Sequence, residues 1–213
     1  MLKIVPYFAA VVMVVTSVVV SAQDIPLEQL TLPEGFTIAV YASDIEDPRQ
    51  MALGPRGTVF VGTRRAGNVY AVIDDNDDHM ADRIVTIASG LMMPNGVAFR
   101  NDNLFVAEIN RVLRFDAIES NLDSPGEPVV LNDGLPTERA HGWKYLGFSP
   151  DGKLYVPVGA PCNICDRTDE DPRFGTILRM NPDGTGEEIF AQGVRNSVGF
   201  DWQPGSEELW FTN

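Results

Sequence analysis

His141 carries the side chain in this sequence best suited to moving a proton near neutral pH, because a neutral imidazole can accept one from a hydroxyl. It is one of two histidines in the chain and stands in the run His141-Gly-Trp-Lys-Tyr-Leu-Gly-Phe148. Arg195-Asn196 sets a permanent cation beside an amide, able to offset negative charge and orient a bound group. Gln50 and Asn95 add two more amides. Taken singly, each of these is ordinary turn or surface chemistry.

Two other clusters invite a chemical reading. Asp74, Asn76, Asp78 and Asp82 occupy positions 1, 3, 5 and 9 of a calcium-loop spacing, in which alternate oxygens point inward. Position 6, normally Gly, is His79, and position 12, normally Glu, is Val85; a solvated acidic turn is the competing reading of the same residues. Cys162-Asn-Ile-Cys165 has redox or zinc half-site spacing, but no second pair follows, and Asp166 stands where haem attachment needs His. With no helical pattern after it, the pair reads as a local disulfide clip formed in an oxidising compartment.

The elements that must position these groups repeat. Leu146 and Phe148, a Ser149-Pro-Asp-Gly152 turn, and Leu154-Tyr-Val156 form a β-hairpin pattern. The same pattern leads to Val59-Phe-Val61, to Leu104-Phe-Val106 and to Leu209-Trp-Phe211. The anchors Phe60, Phe105, Tyr155 and Trp210 recur at about 50 residues, the period of a four-stranded propeller blade. Further short strands are expected at Phe36–Tyr41, Asn68–Val72, Arg83–Ala88, Arg111–Phe115, Thr176–Met180 and Glu188–Ala191. No long helical period competes with them, so the chain is all-β, a propeller with about four blades visible.

In that architecture the inner strands surround a channel, and residues at the entry to each inner strand share one mouth. Those residues are Arg49 with Gln50, then Asn95, then His141, then Arg195 with Asn196. Convergence turns weak single residues into a candidate site.

A net charge of −14 argues against nucleic acid and anionic lipid as partners, since phosphate would be repelled. Residues 1–22 carry one charge, Lys3, an apolar run and Val20-Ser21-Ala22 as a cleavage site, the pattern of a signal peptide. The expected organisation is a leader over 1–22 and a partial propeller domain over 23–213, in a protein exported to the periplasm or secreted without stable membrane association.

His141 to Tyr155, Gly193-Val-Arg-Asn-Ser-Val-Gly199 and Arg173-Phe-Gly-Thr-Ile-Leu-Arg-Met-Asn-Pro-Asp-Gly-Thr185 resemble the soluble quinoprotein glucose/sorbosone dehydrogenases, six-bladed propellers that use pyrroloquinoline quinone (PQQ). Leu32-Pro-Glu-Gly-Phe36, Pro161–Cys165 and the acidic loop are closer to the sorbosone branch. The resemblance implies PQQ and calcium as cofactors, His141 as general base, Arg195 and Asn196 as quinone contacts, and Asn95 with Gln50 along the substrate site. It further implies oxidation of a sugar or sugar-derived aldehyde, a separate electron acceptor, and a truncated chain whose calcium ligands belong to the family's second half. The glucose branch has an Asp just before its His and another after the strand-ending Gly; here these are Ala140 and Ala160, so the motif leaves open what orients His141. Two other functions fit the same fold: a non-catalytic propeller that displays loops to a protein, and a metal-dependent sugar lactonase.

Overall fold

Strand after strand in this chain alternates between apolar residues that face opposite ways, and the computed structural model shows where both faces go. It describes residues 26–213. The chain falls into two units divided between Ala39 and Val40. In the first, the described residues hold one 3-10 turn, Leu27–Gln29, and a Pro33–Phe36 turn closed by Phe36 N–H donating to the Pro33 carbonyl at 3.2 Å.

The second unit is a series of antiparallel sheets. β1 (Pro48–Leu53), β2 (Val59–Thr63), β3 (Val69–Ile73) and β4 (Arg83–Ala88) form the first blade in that order. β5 (Gly96–Arg100), β6 (Asn103–Ala107), β7 (Val112–Phe115) and β8 (Val129–Asn132) form the second. β9 (Gly147–Phe148), β10 (Leu154–Val158), β11 (Thr176–Met180) and β12 (Glu188–Gln192) form the third. β13 (Phe200–Trp202) and β14 (Leu209–Phe211) make the first hairpin of a fourth. The sheets do not close on themselves.

Period-two alternation explains the stacking. In β6, Leu104 and Val106 pack with Phe60, Val69 and Ala71 of the first blade. Phe105 and Ala107 point the other way and pack with Leu154, Val156 and Leu178 of the third. In β10, Tyr155 turns from that core to the next, with Ile177, Val194 and Phe200. A sheet buried on both faces needs apolar residues at successive positions, as the fully buried β10 shows.

The aromatic repeat is a packing repeat. Phe60 stacks on Phe99 of the next blade at 5.6 Å, Phe105 meets Phe148 edge-on at 4.8 Å, and Tyr155 meets Trp202 at 5.1 Å. Each second-strand ring thus seats on a ring from the first strand of the following blade, with a geometry worth about 0.5–1.5 kcal/mol beyond area burial. Trp210, the fourth anchor, is exposed.

Two expectations are corrected. Phe36–Tyr41 has the alternation of a strand but enters no ladder in the structure, and Phe36, Ile38 and Val40 are exposed. An extended segment becomes a strand only when its N–H and C=O groups find a neighbour. Arg49 and Gln50 do not precede the inner strand but lie within β1, where the register to β2 shifts between Pro48 and Met51. Bulges of this kind re-aim side chains.

Candidate functional site

Three separate pieces of chain meet at Gly159, just past the end of β10. A Cβ built there would lie 2.6 Å from both the Cβ and the carbonyl oxygen of His141, and 3.0 Å from Oδ1 of Asn196. Only a residue without a side chain lets them come so close. The Ala160 N–H donates to the Arg195 carbonyl at 2.7 Å, which ties the segment before β13 to the same point.

His141 sits in a turn in which the Gly142 N–H donates to the Arg139 carbonyl at 3.2 Å, and its own φ is +52°, in the left-handed region. Its Nδ1 lies 2.7 Å from the Ala160 carbonyl oxygen. A carbonyl can only accept, so Nδ1 carries the proton and Nε2 of the neutral ring is left as the acceptor. The absent carboxylates at Ala140 and Ala160 are thereby explained: the ring is oriented by main chain. Arg195 is exposed, and its Nη1 donates to Asn163 Oδ1 at 3.3 Å; Asn196 is half-buried.

Gln50 and Asn95 spend their amides on backbone. Gln50 Nε2 donates to the Leu146 carbonyl at 2.6 Å, while its Oε1 accepts from Leu146 N–H at 3.0 Å and Val97 N–H at 3.3 Å. One side chain of the first blade therefore stitches β1 to the innermost chain of the second and third. Asn95 is buried and donates from Nδ2 to the Lys144 carbonyl at 2.6 Å. Both residues still line a cavity of about 400 Å³, together with Arg49, Trp143, Tyr145 and Val198.

Three participants escaped sequence reasoning. Trp143 lies in this wall, with the Arg64 guanidinium over its ring at 3.7 Å. Lys144 is buried at 1 % exposure. Tyr145 packs edge-on against Phe200 at 4.9 Å, and burial raises its phenol above the ordinary value, with Asp201 adding to the effect. Trp143, Lys144 and Tyr145 all follow His141 in the run that drew attention first, but nothing in their spacing distinguishes wall from core.

Cys162 and Cys165 are joined, with Cα atoms 5.8 Å apart. The clipped loop borders a second cavity of about 670 Å³, which reaches from Asn163 and Asp166 to Arg195. Alkylation without reductant is expected to leave both cysteines unlabelled, with the intact mass two hydrogens below the dithiol form. Two labelled thiols would refute the bridge in the protein as purified.

The acidic loop is arranged differently from its calcium-type spacing. Asp74, Asp77 and His79 are the residues whose ligand atoms come together, within 4.8 Å of one another. Asp74 Oδ1 accepts from the Asn76 and Asp78 N–H groups, both at 3.3 Å, and Oδ2 from His79 N–H at 2.9 Å. Desolvation opposes ionisation of Asp74, yet these main-chain donors outweigh it and hold the carboxyl below its ordinary value. Asn76 and Asp82 bond to each other at 3.3 Å. His79 takes the left-handed φ of +67° where the spacing calls for Gly, and Val85 is inside β4. Calcium favours six to eight oxygens, and position 12, where the calcium spacing has a bidentate carboxylate, is Val85.

Antiparallel four-stranded blades stacked face to face define a β-propeller. The chain belongs to the family described as "Domain of unknown function (DUF7133)", whose model matches residues 23–213. An uncharacterized protein of Borreliella burgdorferi is 24% identical over 222 residues, covering 95% of this chain and 53% of that one. Among solved structures, the calcium structure of a Trichoderma reesei Carbohydrate-Active Enzymes Family AA12 protein is similar with a TM-score of 0.68 and 15% identity, over 80% of this chain and 46% of that one. The PQQ-bound form of an aldose sugar dehydrogenase from Streptomyces coelicolor has a TM-score of 0.60 and 22% identity, over 80% of this chain and 57% of that one. The chain thus spans about half the length of the proteins it matches. At these identities the structural likeness establishes the fold.

Proposed function

We propose that this chain carries the base and part of the quinone contact of a PQQ-dependent dehydrogenase acting on a sugar or sugar-derived aldehyde, with a separate electron acceptor. The observation that carries this reading is the meeting at Gly159 of an imidazole with a free Nε2, the Asn196 amide and the segment bearing Arg195. The donor set suits PQQ, whose carboxylates and carbonyl oxygens call for a guanidinium and an amide, and the bare Gly159 lets the His141 backbone and the Asn196 amide close in together. Bound there, PQQ would supply a two-electron acceptor for hydride. His141 Nε2 takes the proton of a sugar or aldehyde-hydrate hydroxyl, while Nδ1–H stays on the Ala160 carbonyl and steadies the ring as it becomes positive. Arg195 holds negative charge at the mouth of a protein whose net charge is −14.

Gln50 and Asn95 serve this site as ties that set the wall of the substrate cavity, with Trp143 supplying an apolar face of the kind sugars pack on. Calcium is part of the proposal as a partner of the quinone, and no step is assigned to the acidic loop. Export follows from the leader pattern over 1–22, which lies outside the described residues. Among those described, no helix is long and apolar enough to cross a membrane.

The full-length protein mixed with PQQ and calcium, then gel-filtered, is expected to retain quinone and to reduce a dye when an aldose is added, whereas residues 1–213 alone are expected to show no dehydrogenase activity. Arg195→Ala is expected to weaken quinone binding about 10- to 100-fold, the usual loss of about 1.5–3 kcal/mol for a hydrogen bond to a charged group. Failure to retain quinone would overturn the reading, and quinone-independent hydrolysis of a sugar lactone would replace it with the lactonase.

A further inference from the structure

A buried ammonium costs several kcal/mol unless it is partnered, and Met or Leu could fill the same space without that cost. Lys144 is nevertheless 1 % exposed, and its Nζ donates to the Gly142 carbonyl at 2.6 Å. That carbonyl belongs to the residue directly after His141. The backbone around Lys144 is fixed from outside: its own carbonyl accepts from Asn95 Nδ2, and Leu146 is clamped by Gln50. The side chain therefore reaches back from a pinned segment just before β9 to the loop that bears His141. That loop needs support, because a left-handed φ of +52° at a non-glycine residue costs about 1–2 kcal/mol. Gly142 cannot carry a side chain there, since a Cβ would meet the Glu138 carbonyl oxygen at 2.0 Å.

We propose that Lys144 is a positioning residue for His141: by holding the Gly142 carbonyl, its ammonium keeps His141 in the backbone from which Nδ1 reaches Ala160 and Nε2 stays free. The consequence for catalysis rests on reading His141 as the base; the positioning itself does not. Burial lowers the lysine to about 8 from an ordinary 10.5, the Glu138 carboxylate opposes that shift, and the Arg173 guanidinium adds to it. A charged donor makes a bond about twice as strong as a neutral one, so the hold on Gly142 weakens as pH rises through about 8. Fold stability moves the opposite way. Between about 8 and 10.5 the unfolded chain binds more protons at this residue than the folded one, so the lysine's contribution to stability rises with pH.

The two histidines make the test direct. Long-range ¹H–¹⁵N spectra of the ¹⁵N-labelled chain, with His79→Gln used for assignment, report which ring nitrogen carries the proton. The neutral His141 ring is expected as the single Nδ1–H tautomer near pH 7, with the Nε2–H form appearing through a midpoint near 8. Lys144→Met is expected to show both tautomers at every pH, with no midpoint near 8, and to lose the high-pH gain in urea midpoint relative to wild type. A tautomer that stays single in Lys144→Met overturns the proposal and leaves Lys144 as packing. If that variant does not fold, a wild-type tautomer ratio unchanged across the midpoint overturns it equally. No turnover enters the readout, so failure of the dehydrogenase reading and failure of this inference are separate results.

Discussion

Replacing His141 by Gln in the full-length protein reconstituted with PQQ and calcium is expected to lower kcat about 10²- to 10⁴-fold, the usual worth of a positioned general base. The substitution keeps a similar volume and an amide that can still donate toward the Ala160 carbonyl, so the loop and its neighbours should stay in place. What it removes is the free Nε2, the only acceptor the ring presents once Nδ1–H is committed at 2.7 Å. Quinone retention should hold, because the contacts assigned to it come from Arg195 and Asn196. A loss in kcat with KM nearly unchanged marks an interaction made in the transition state. Steady-state dye reduction and retained quinone, measured on the same preparation, check this. A variant with kcat within about threefold of wild type would remove His141 from the role of base.

The hairpins were legible because two local signals coincide in each. Apolar alternation marks the strands, and the turn residues match the backbone: Gly57, Gly152 and Gly205 take φ of 86°, 88° and 79°, and Asn101-Asp102 take 49° and 63° in a two-residue loop. Arg83–Ala88 and Thr176–Met180 are strands at the bounds their patterns suggest. β8 was not foreseen. It is a short outer strand with Val129 and Val130 exposed, it follows Pro125-Gly-Glu-Pro128, and edge pairing rather than burial defines it. Phe36–Tyr41 failed in the opposite sense, since pattern alone cannot provide a pairing partner.

The blades that carry the candidate residues were legible in the sequence and the bonds around them were not. Asn95, His141 and Asn196 stand ahead of β5, β9 and β13 in the chain, an order the repeat alone gives. That Gln50 and Asn95 bond to the carbonyls of Leu146 and Lys144 could not be read, because the partners are main-chain atoms 96 and 49 residues away. The same blindness hid the orientation of His141. A search for a carboxylate finds Ala140 and Ala160, whereas the acceptor is the carbonyl of Ala160, an atom every residue has. Lys144 was missed for a related reason: a lysine reads as surface by default, and only packing shows this one buried.

Gly159 is where these backbone relations can be tested with one methyl group. Gly159→Ala would place a Cβ 2.6 Å from the His141 carbonyl oxygen and 2.6 Å from its Cβ, distances at which carbon and oxygen repel strongly. Neither atom can swing away as a side-chain tip would, because the His141 turn is tied through Gly142 to Arg139 and through Nδ1 to Ala160. The third neighbour, Asn196 Oδ1 at 3.0 Å, can yield by rotating, which would turn the amide from the quinone side. Overpacking of this kind costs about 1–3 kcal/mol of stability. A displacement near 1 Å at a reacting group costs about 10²-fold in rate. The expected signature is therefore a lower urea midpoint, a fall in kcat of about 10²-fold, and weaker quinone retention together, whereas His141→Gln should lower kcat alone. Urea unfolding, dye reduction and quinone retention of the two variants side by side make the comparison. A Gly159→Ala protein with wild-type stability and turnover would show that the crossing at Gly159 does not hold the site.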